Sequence, residues 1–593
     1  MKYSELCEVY EELEKNPSRL KKTEILADFL KKLKYEKDKQ IVYLLQGKVF
    51  PDYSEKEFGI SEQLCIKALS KASGISDKEI VLKWKKTGDL GLVSEEIMSK
   101  KKQNTLFSDK LTTEKVLDNL KKLPELVGKG TVDKKMGLIS ELLTSASGTE
   151  AKYIIRTLLG DLRIGVASGT IRDSIADACF DTSKSLDFDS AQKSDKKKIS
   201  DKDNEEESKK FTEAVQEAYD KSTDFALVLE KACNGIKELE KTELSPGHPI
   251  KVMLALKAES IEDGFERVGK PCAIEYKYDG FRMLINKKEN QEISIFTRRL
   301  DNVTNQFPDV VEYVKENVKA KSFIIDSEAV GYNKKTKKYT PFQDISQRIK
   351  RKYHIEKLIQ ELPIEINVFD ILYYNGESLI NEPFEKRTKL LRKIVTNHKY
   401  HIQIAKQLIT DDEKKAQEFY KQALKDNQEG VMIKNLNSPY KPGARVGYML
   451  KLKPAENELD LVITGAEYGK GKRAGAYSTF TLSCLDKKTN KFLEIGKASG
   501  LKEKEELGLS FTELTNKIKP IIEKESGREV KIKPKLVVTV IYQNIQRSPT
   551  YESGFALRFP RITALRHDRK AEDIATLKEI SDDYNRHELK IRY

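Results

Sequence analysis

Near the amino terminus apolar residues recur every three or four positions: Tyr3, Leu6, Cys7, Tyr10 and Leu13, then Ile25, Leu26, Phe29, Leu30 and Leu33. Such spacing follows the helical repeat of about 3.6 residues and predicts amphipathic helices. Thr112-Thr113-Glu114 and Ser145-Ala146-Ser147 supply capping residues ahead of further runs of the same kind. From Ser183 to Lys210 the pattern stops, leaving Ser, Asp, Lys and Glu with few apolar residues. A stretch that cannot bury apolar surface is expected to be a disordered insertion. Helical spacing returns with Phe211, Val215, Ala218 and Tyr219, and the turn-rich Leu244-Ser245-Pro246-Gly247-His248-Pro249 marks a boundary.

Beyond Met253 the period changes to two. Ile293 and Ile295 alternate with other residues, as do Ile364, Ile366 and Val368, while Phe323-Ile324-Ile325-Asp326-Ser327-Glu328-Ala329-Val330 is an apolar run with two acids inside it. In Leu450-Lys451-Leu452-Lys453 the two lysines fall on one face of a strand and the two leucines on the other. After about residue 456 short β runs continue, with Phe480, Leu482 and Cys484 alternating. Three domains are predicted: all-α over 1–244 (insertion at about 183–210), α/β over 245–455 and all-β over 456–593.

Composition narrows the class. A chain of 593 residues is too long for one core, and 38% hydrophobic with 34% charged residues fits a globular protein with a highly charged surface. The net charge of +14 points to a polyanionic partner. Six scattered cysteines, with no Cys-x-x-Cys pair and no histidine at zinc spacing, argue for a reducing compartment and against a structural zinc. No apolar stretch approaches membrane length and the start lacks a signal-peptide core, so an intracellular protein with no membrane partner is expected.

The chemistry centres on Glu275-Tyr276-Lys277-Tyr278-Asp279-Gly280-Phe281-Arg282. Asp-Gly between alternating apolar residues predicts strand, hairpin-like turn, strand. A lysine amine at such a strand end is a nucleophile once deprotonated, although an ordinary lysine holds its proton to about pH 10.4. Alone, a lysine before a turn reads as a solvated side chain. Lys-x-Asp-Gly-x-Arg with an upstream Glu is a rarer combination. Elsewhere, Lys152 and Arg156 on one helix, followed by Arg163 among glycines, suit contacts to DNA phosphates as readily as a solvated helix face.

Lys277-Tyr278-Asp279-Gly280-Phe281-Arg282 resembles the nucleotidyl-lysine motif of ATP-dependent DNA ligases of the archaeal and eukaryotic replicative type, with messenger-RNA capping enzymes as nearest relatives. The tail Leu557-Arg558-Phe559-Pro560-Arg561, then Arg566-His567-Asp568-Arg569, is similar to the same ligases. The resemblance implies a helical DNA-binding domain, a nucleotidyltransferase (adenylation) domain and a terminal OB-fold. It implies that Lys277 attacks the α-phosphate of ATP to form lysyl-AMP, that AMP passes to the 5′-phosphate of a nick, and that the 3′-hydroxyl then seals the strand, in replication and repair. By the same resemblance Glu275, Arg282, Arg298, Glu328, Phe369, Arg445, Lys451 and Lys453 line the nucleotide or nick phosphate, with Phe369 stacking on adenine. Glu328 and Glu429 would hold Mg²⁺, and Arg566 and Arg569 would meet the pyrophosphate; Arg569 departs from the family's usual lysine. Gln103-Asn104-Thr105-Leu106-Phe107 resembles a sliding-clamp-binding peptide through Gln103, Leu106 and Phe107, with one aromatic where the fuller motif has two. The expected partner is nicked duplex DNA, with a clamp besides, for a monomer in an archaeal-type cytoplasm. A capping enzyme, an RNA ligase and a non-enzymatic DNA-binding scaffold stay open on the residues alone. The first two would lack the helical domain and the Arg558–Arg561 tail; the scaffold leaves Lys277, Glu328, Glu429, Lys451 and Lys453 unexplained together.

Overall fold

In the computed structural model the described residues are 1–34, 39–54, 56–100, 111–126, 130–180, 195–340, 342–351, 353–454, 457–469, 476–501, 509–526 and 528–592. The amino-terminal part is helical throughout. Helix α1 (Tyr3–Lys15) buries Tyr3, Leu6, Cys7, Tyr10 and Leu13, the residues its spacing singles out. Helix α2 (Leu90–Ser99) starts at Asp89, whose carboxylate accepts from the Gly91 and Leu92 amides. Helix α3 (Gly148–Leu158) starts in a capping box in which Ser147 and Glu150 satisfy each other's backbone amides. Thr112 likewise caps the helix Thr113–Lys122.

Two features depart from the pattern. Nearly every residue of α3 is buried, so it is the centre of the bundle and has no solvated face. Of the expected insertion, residues 183–194 lie outside the described residues, but 195–210 belong to helix α4 (Asp195–Ser222). Lysine and glutamate are good helix formers, so polarity alone did not decide against a helix there. The fold also brings the Cys179 and Cys233 sulfurs within 3.8 Å, although the two lie far apart in sequence.

The middle of the chain builds two sheets. One has the order β1 (Leu256–Lys257), β9 (Met449–Leu452), β8 (Gly430–Asn435), β2 (Cys272–Lys277) and β7 (Gln407–Thr410). The other runs β4 (Ile293–Thr297), β3 (Phe281–Lys287), β5 (Phe323–Tyr332) and β6 (Ile364–Tyr374), with short strands adding to its edges. A core of Met283, Ile285, Ile325, Ile366 and Val368, among others, covers the second sheet.

The carboxy-terminal part is an antiparallel sheet of order β12 (Lys491–Ala498), β11 (Tyr477–Asp486), β10 (Asn457–Tyr468), β13 (Glu529–Tyr542) and the strand Ile522–Ser526, with β14 (Arg561–Leu565) on β13. Register shifts in β10 and β11 mark bulges, the device by which long strands curl over a core. That core includes Leu461, Phe480, Leu482, Cys484, Val538 and Val540. The chain divides into two compact units, Met1–Ala416 with Met432–Lys451, and Gln417–Val431 with Leu452–Tyr593. No helix among the described residues is long and apolar enough to cross a membrane.

Candidate active site

Lys277 is the last residue of β2 and is half-buried. The segment after it is not a hairpin turn. β2 and β3 belong to different sheets, so Tyr278-Asp279-Gly280 carries the chain from one sheet to the other. The expectation of a hairpin fails for a steric reason. Gly280 is not at positive φ, as a tight two-residue turn would require. Its role is space: a Cβ there would lie 2.1 Å from the Ala329 carbonyl oxygen and 3.1 Å from Cγ of Glu328. The motif glycine thus lets the lysine-bearing segment lie against β5 beside Glu328. Tyr278 anchors the crossing, its hydroxyl accepting from the Lys406 amide at 3.0 Å, and burial pushes that hydroxyl's pKa well up.

Glu275, two residues before Lys277 and so on the same strand face, is buried. It pairs with Lys434 Nζ at 2.5 Å and accepts from Gln407 Nε2 at 2.7 Å. Lys434 lies 4.7 Å from the Phe369 ring centre and 4.6 Å from that of Phe384. Arg282, on β3, lies 5.3 Å from the Phe369 centre. Its Nε donates to Asp326 at 2.7 Å, and Nη2 donates to both Asp326 and the Tyr440 hydroxyl. Half-buried Phe369 is therefore an aromatic platform attended by two cations. Arg282, Phe369, Phe384, Lys434, Tyr440 and Met449 line one cavity.

Glu328 is half-buried on β5, opposite Arg282 on one side and Asn367 on the other. Lys451 is half-buried on β9 in register with Lys257, while Leu450 and Leu452 are buried, the alternation the sequence predicts. Arg298 and Arg445 are exposed. In the second unit Glu429 pairs with Lys453 at 2.5 Å. Gly430 beside it, at φ 141°, would drive a Cβ to within 2.1 Å of the Leu452 carbonyl oxygen, so glycine allows this close approach. Arg566 and Arg569 both reach Asp460 Oδ2, at 2.9 and 3.0 Å.

Two expected DNA contacts are corrected. Lys152 and Arg156 are buried, not presented to a duplex. Lys152 Nζ lies 2.6 Å from Glu11 and 3.1 Å from Glu14 of α1; Arg156 bonds Glu14 at 2.9 Å and Asp89 at 2.7 Å. Carboxylates from α1 and the cap of α2 thus neutralise both cations inside the bundle. Arg163 remains exposed beside Asp161 and Asp89. Gln103, Leu106 and Phe107 lie outside the described residues.

Lys434, Asp326, Tyr440 and Asp460 are absent from the sequence-predicted set. A signal existed for Lys434: period two in Gly430-Val431-Met432-Ile433-Lys434 sets it on the face opposite the buried Val431 and Ile433. The other three become visible only through partners distant in sequence.

Three family models match the chain: "DNA ligase N terminus" over 2–176, "ATP dependent DNA ligase domain" over 252–453 and "ATP dependent DNA ligase C terminal region" over 473–569. The chain is 44% identical to the DNA ligase of Nanoarchaeum equitans over 588 residues, covering 98% of each. The chain belongs to the ATP-dependent DNA ligases. It is 40% identical to the Thermococcus fumicolans DNA ligase, again covering 98% of both chains. A solved structure named Pmar-Lig_Pre shares the fold, with a TM-score of 0.53 at 19% identity over 95% of this chain and 99% of that one. As a member of this family the ligase binds nicked DNA and seals nicks in the duplex with ATP.

Proposed function

We propose that Lys277 is the nucleophile of this ligase and that the residues around it divide the work of three nucleotidyl transfers. The observation that supports this reading is the passage of Tyr278-Asp279-Gly280 between two sheets: Lys277 ends β2, and three residues later Gly280 packs against β5 at Ala329 and Glu328. Lys277 attacks the α-phosphate of ATP, pyrophosphate leaves, and the amine carries AMP. AMP passes to the 5′-phosphate of the nick, and attack by the 3′-hydroxyl joins the strand and releases AMP.

Charge builds on phosphoryl oxygens in every step, so fixed cations are the main aid the protein can give. Lys451 and Lys453 contact the α-phosphate. Arg566 and Arg569 meet the pyrophosphate in the first step. Adenine stacks on Phe369, beside which Lys434 lines the pocket with Glu275 as its partner. Arg282, Arg298 and Arg445 serve the ribose and nick phosphates.

Glu328 and Glu429 would each offer Mg²⁺ carboxylate oxygens, which suit a hard cation, and Glu429 already pairs with the Lys453 ammonium. When bound, the metal would neutralise phosphoryl charge. Arg163 contacts a DNA phosphate, Gln103, Leu106 and Phe107 engage a sliding clamp, and the terminal β domain is an OB-fold barrel. The enzyme acts as a monomer in an archaeal cytoplasm.

Sealing of a nicked duplex with ATP, and of a duplex whose nick already carries 5′-AMP, tests the reading. Lys277→Ala should lose the first activity and keep most of the second. Retention of ATP-dependent sealing by Lys277→Ala would overturn it.

A further inference from the structure

Arg566 and Arg569 are three residues apart on the loop after β14, and their side chains converge on one oxygen. Arg566 Nη1 and Arg569 Nε lie 2.9 and 3.0 Å from Asp460 Oδ2. The other oxygen, Oδ1, accepts from the Thr539 hydroxyl at 2.6 Å. Asp460 sits on β10 directly opposite Thr539 of β13, and Thr539 in turn faces Ala564 of β14. A row across three paired strands therefore anchors the carboxylate, whose side chain is only 11% exposed.

Two guanidinium groups brought to one point repel each other, and a shared carboxylate offsets that repulsion. Arg566 has a second acid in Asp568, bonded to Nε and Nη2 at 2.9 and 2.7 Å, but Asp568 is exposed and touches only Arg566 among these arginines. Among the described residues, Asp460 alone pairs with both. A Thr539 bond and a sheet position are more rigidity than a surface ion pair needs.

We propose that Asp460 is a positioning residue for the adenylation step: it holds Arg566 and Arg569 as a single two-armed cationic fork that grips the pyrophosphate portion of the nucleotide. This rests on the assignment of those arginines to pyrophosphate. The fork serves lysyl-AMP formation and its reversal by pyrophosphate, and has no part in strand closure.

Asp460→Asn keeps the size and the acceptor for Thr539 while removing the charge. Single-turnover lysyl-AMP formation should slow about tenfold or more, with raised half-saturating ATP and pyrophosphate, an effect of the size expected for a coupled charge pair. Sealing of a pre-adenylated nick and the melting temperature should stay near wild type. An unchanged or faster adenylation step would overturn the proposal. So would a parallel fall of both steps with a lowered melting temperature, because that marks a purely structural ion pair. Arg566→Ala separates this proposal from its premise. If Arg566→Ala adenylates normally, the assignment of the arginines fails; if it is slow while Asp460→Asn is normal, only the role of Asp460 fails.

Discussion

Gly280 lies so close to Ala329 that a Cβ on the glycine would sit 2.1 Å from the alanine's carbonyl oxygen. The obstacle is backbone in the middle of a sheet and cannot swing aside. Gly280→Ala should therefore push the Lys277 segment off β5, lowering stability by about 1–3 kcal/mol as overpacking does. Lysyl-AMP formation should fall with it. Denaturant melts and single-turnover adenylation check both, and a variant normal in each would show that the contact does not hold the nucleophile.

Glu275 and Lys434 are both buried, so neither can be removed singly without stranding the other's charge. Glu275→Gln or Lys434→Met should each cost about 3–5 kcal/mol, and the double variant less than their sum. Each should also raise the KM for ATP, because Lys434 lies 4.7 Å from the Phe369 ring centre and Glu275 holds it there. Equilibrium unfolding of the four proteins measures the coupling, and strict additivity would deny it.

The Glu14–Lys152–Arg156–Asp89 cluster makes the helical domain acid-sensitive. Burial would raise the Glu14 carboxyl, but hydrogen bonds from Arg156 and Lys152 outweigh it and hold the pKa at about 2. Asp89 is lowered in the same way, burial being overcome by the Arg156 hydrogen bond. A carboxyl whose folded pKa lies below its unfolded value stabilises the fold above the unfolded value and loses that contribution as pH falls through the folded one. Stability should thus decline from about pH 4.5 towards pH 2, and Glu14→Gln should flatten that decline. Thermal melts across this range read the effect.

Arg163 is the exposed member of the three cations that the sequence suggests for DNA. Arg163→Ala should weaken nicked-duplex binding for any sequence and reduce the slope of log affinity against log salt by about 1. Lys152→Met should leave that slope unchanged in protein that remains folded, because a buried Lys152 paired with Glu11 and Glu14 neutralises no DNA phosphate and so releases no counterion. Equal slope changes for the two would place Lys152 at the DNA surface and contradict its burial.

These cases mark what one dimension can and cannot show. The change from helical to two-residue period locates the three kinds of domain, since each burial pattern follows from local geometry. The strand positions of Lys277 and Lys451 are legible because their motifs are contiguous. Lys152 and Arg156 mislead because the carboxylates that pair with them come from α1 and Asp89, and an amphipathic pattern does not reveal what covers the polar face. Asp279-Gly280 suggests a hairpin because Asp-Gly reports a tight bend, and only the neighbouring strand β5 explains why the glycine is needed. Asp460 is one acid among many in the sequence, and only the approach of Arg566 and Arg569 in the fold sets it apart.

Mapping the covalent AMP tests the central claim most directly. The wild-type enzyme is incubated with ATP and Mg²⁺, digested, and the adenylylated peptide is sequenced by tandem mass spectrometry. AMP on Lys277 alone, and none on Lys277→Ala, is the result predicted. AMP on another lysine, or a Lys277→Ala protein that still acquires it, would contradict the account.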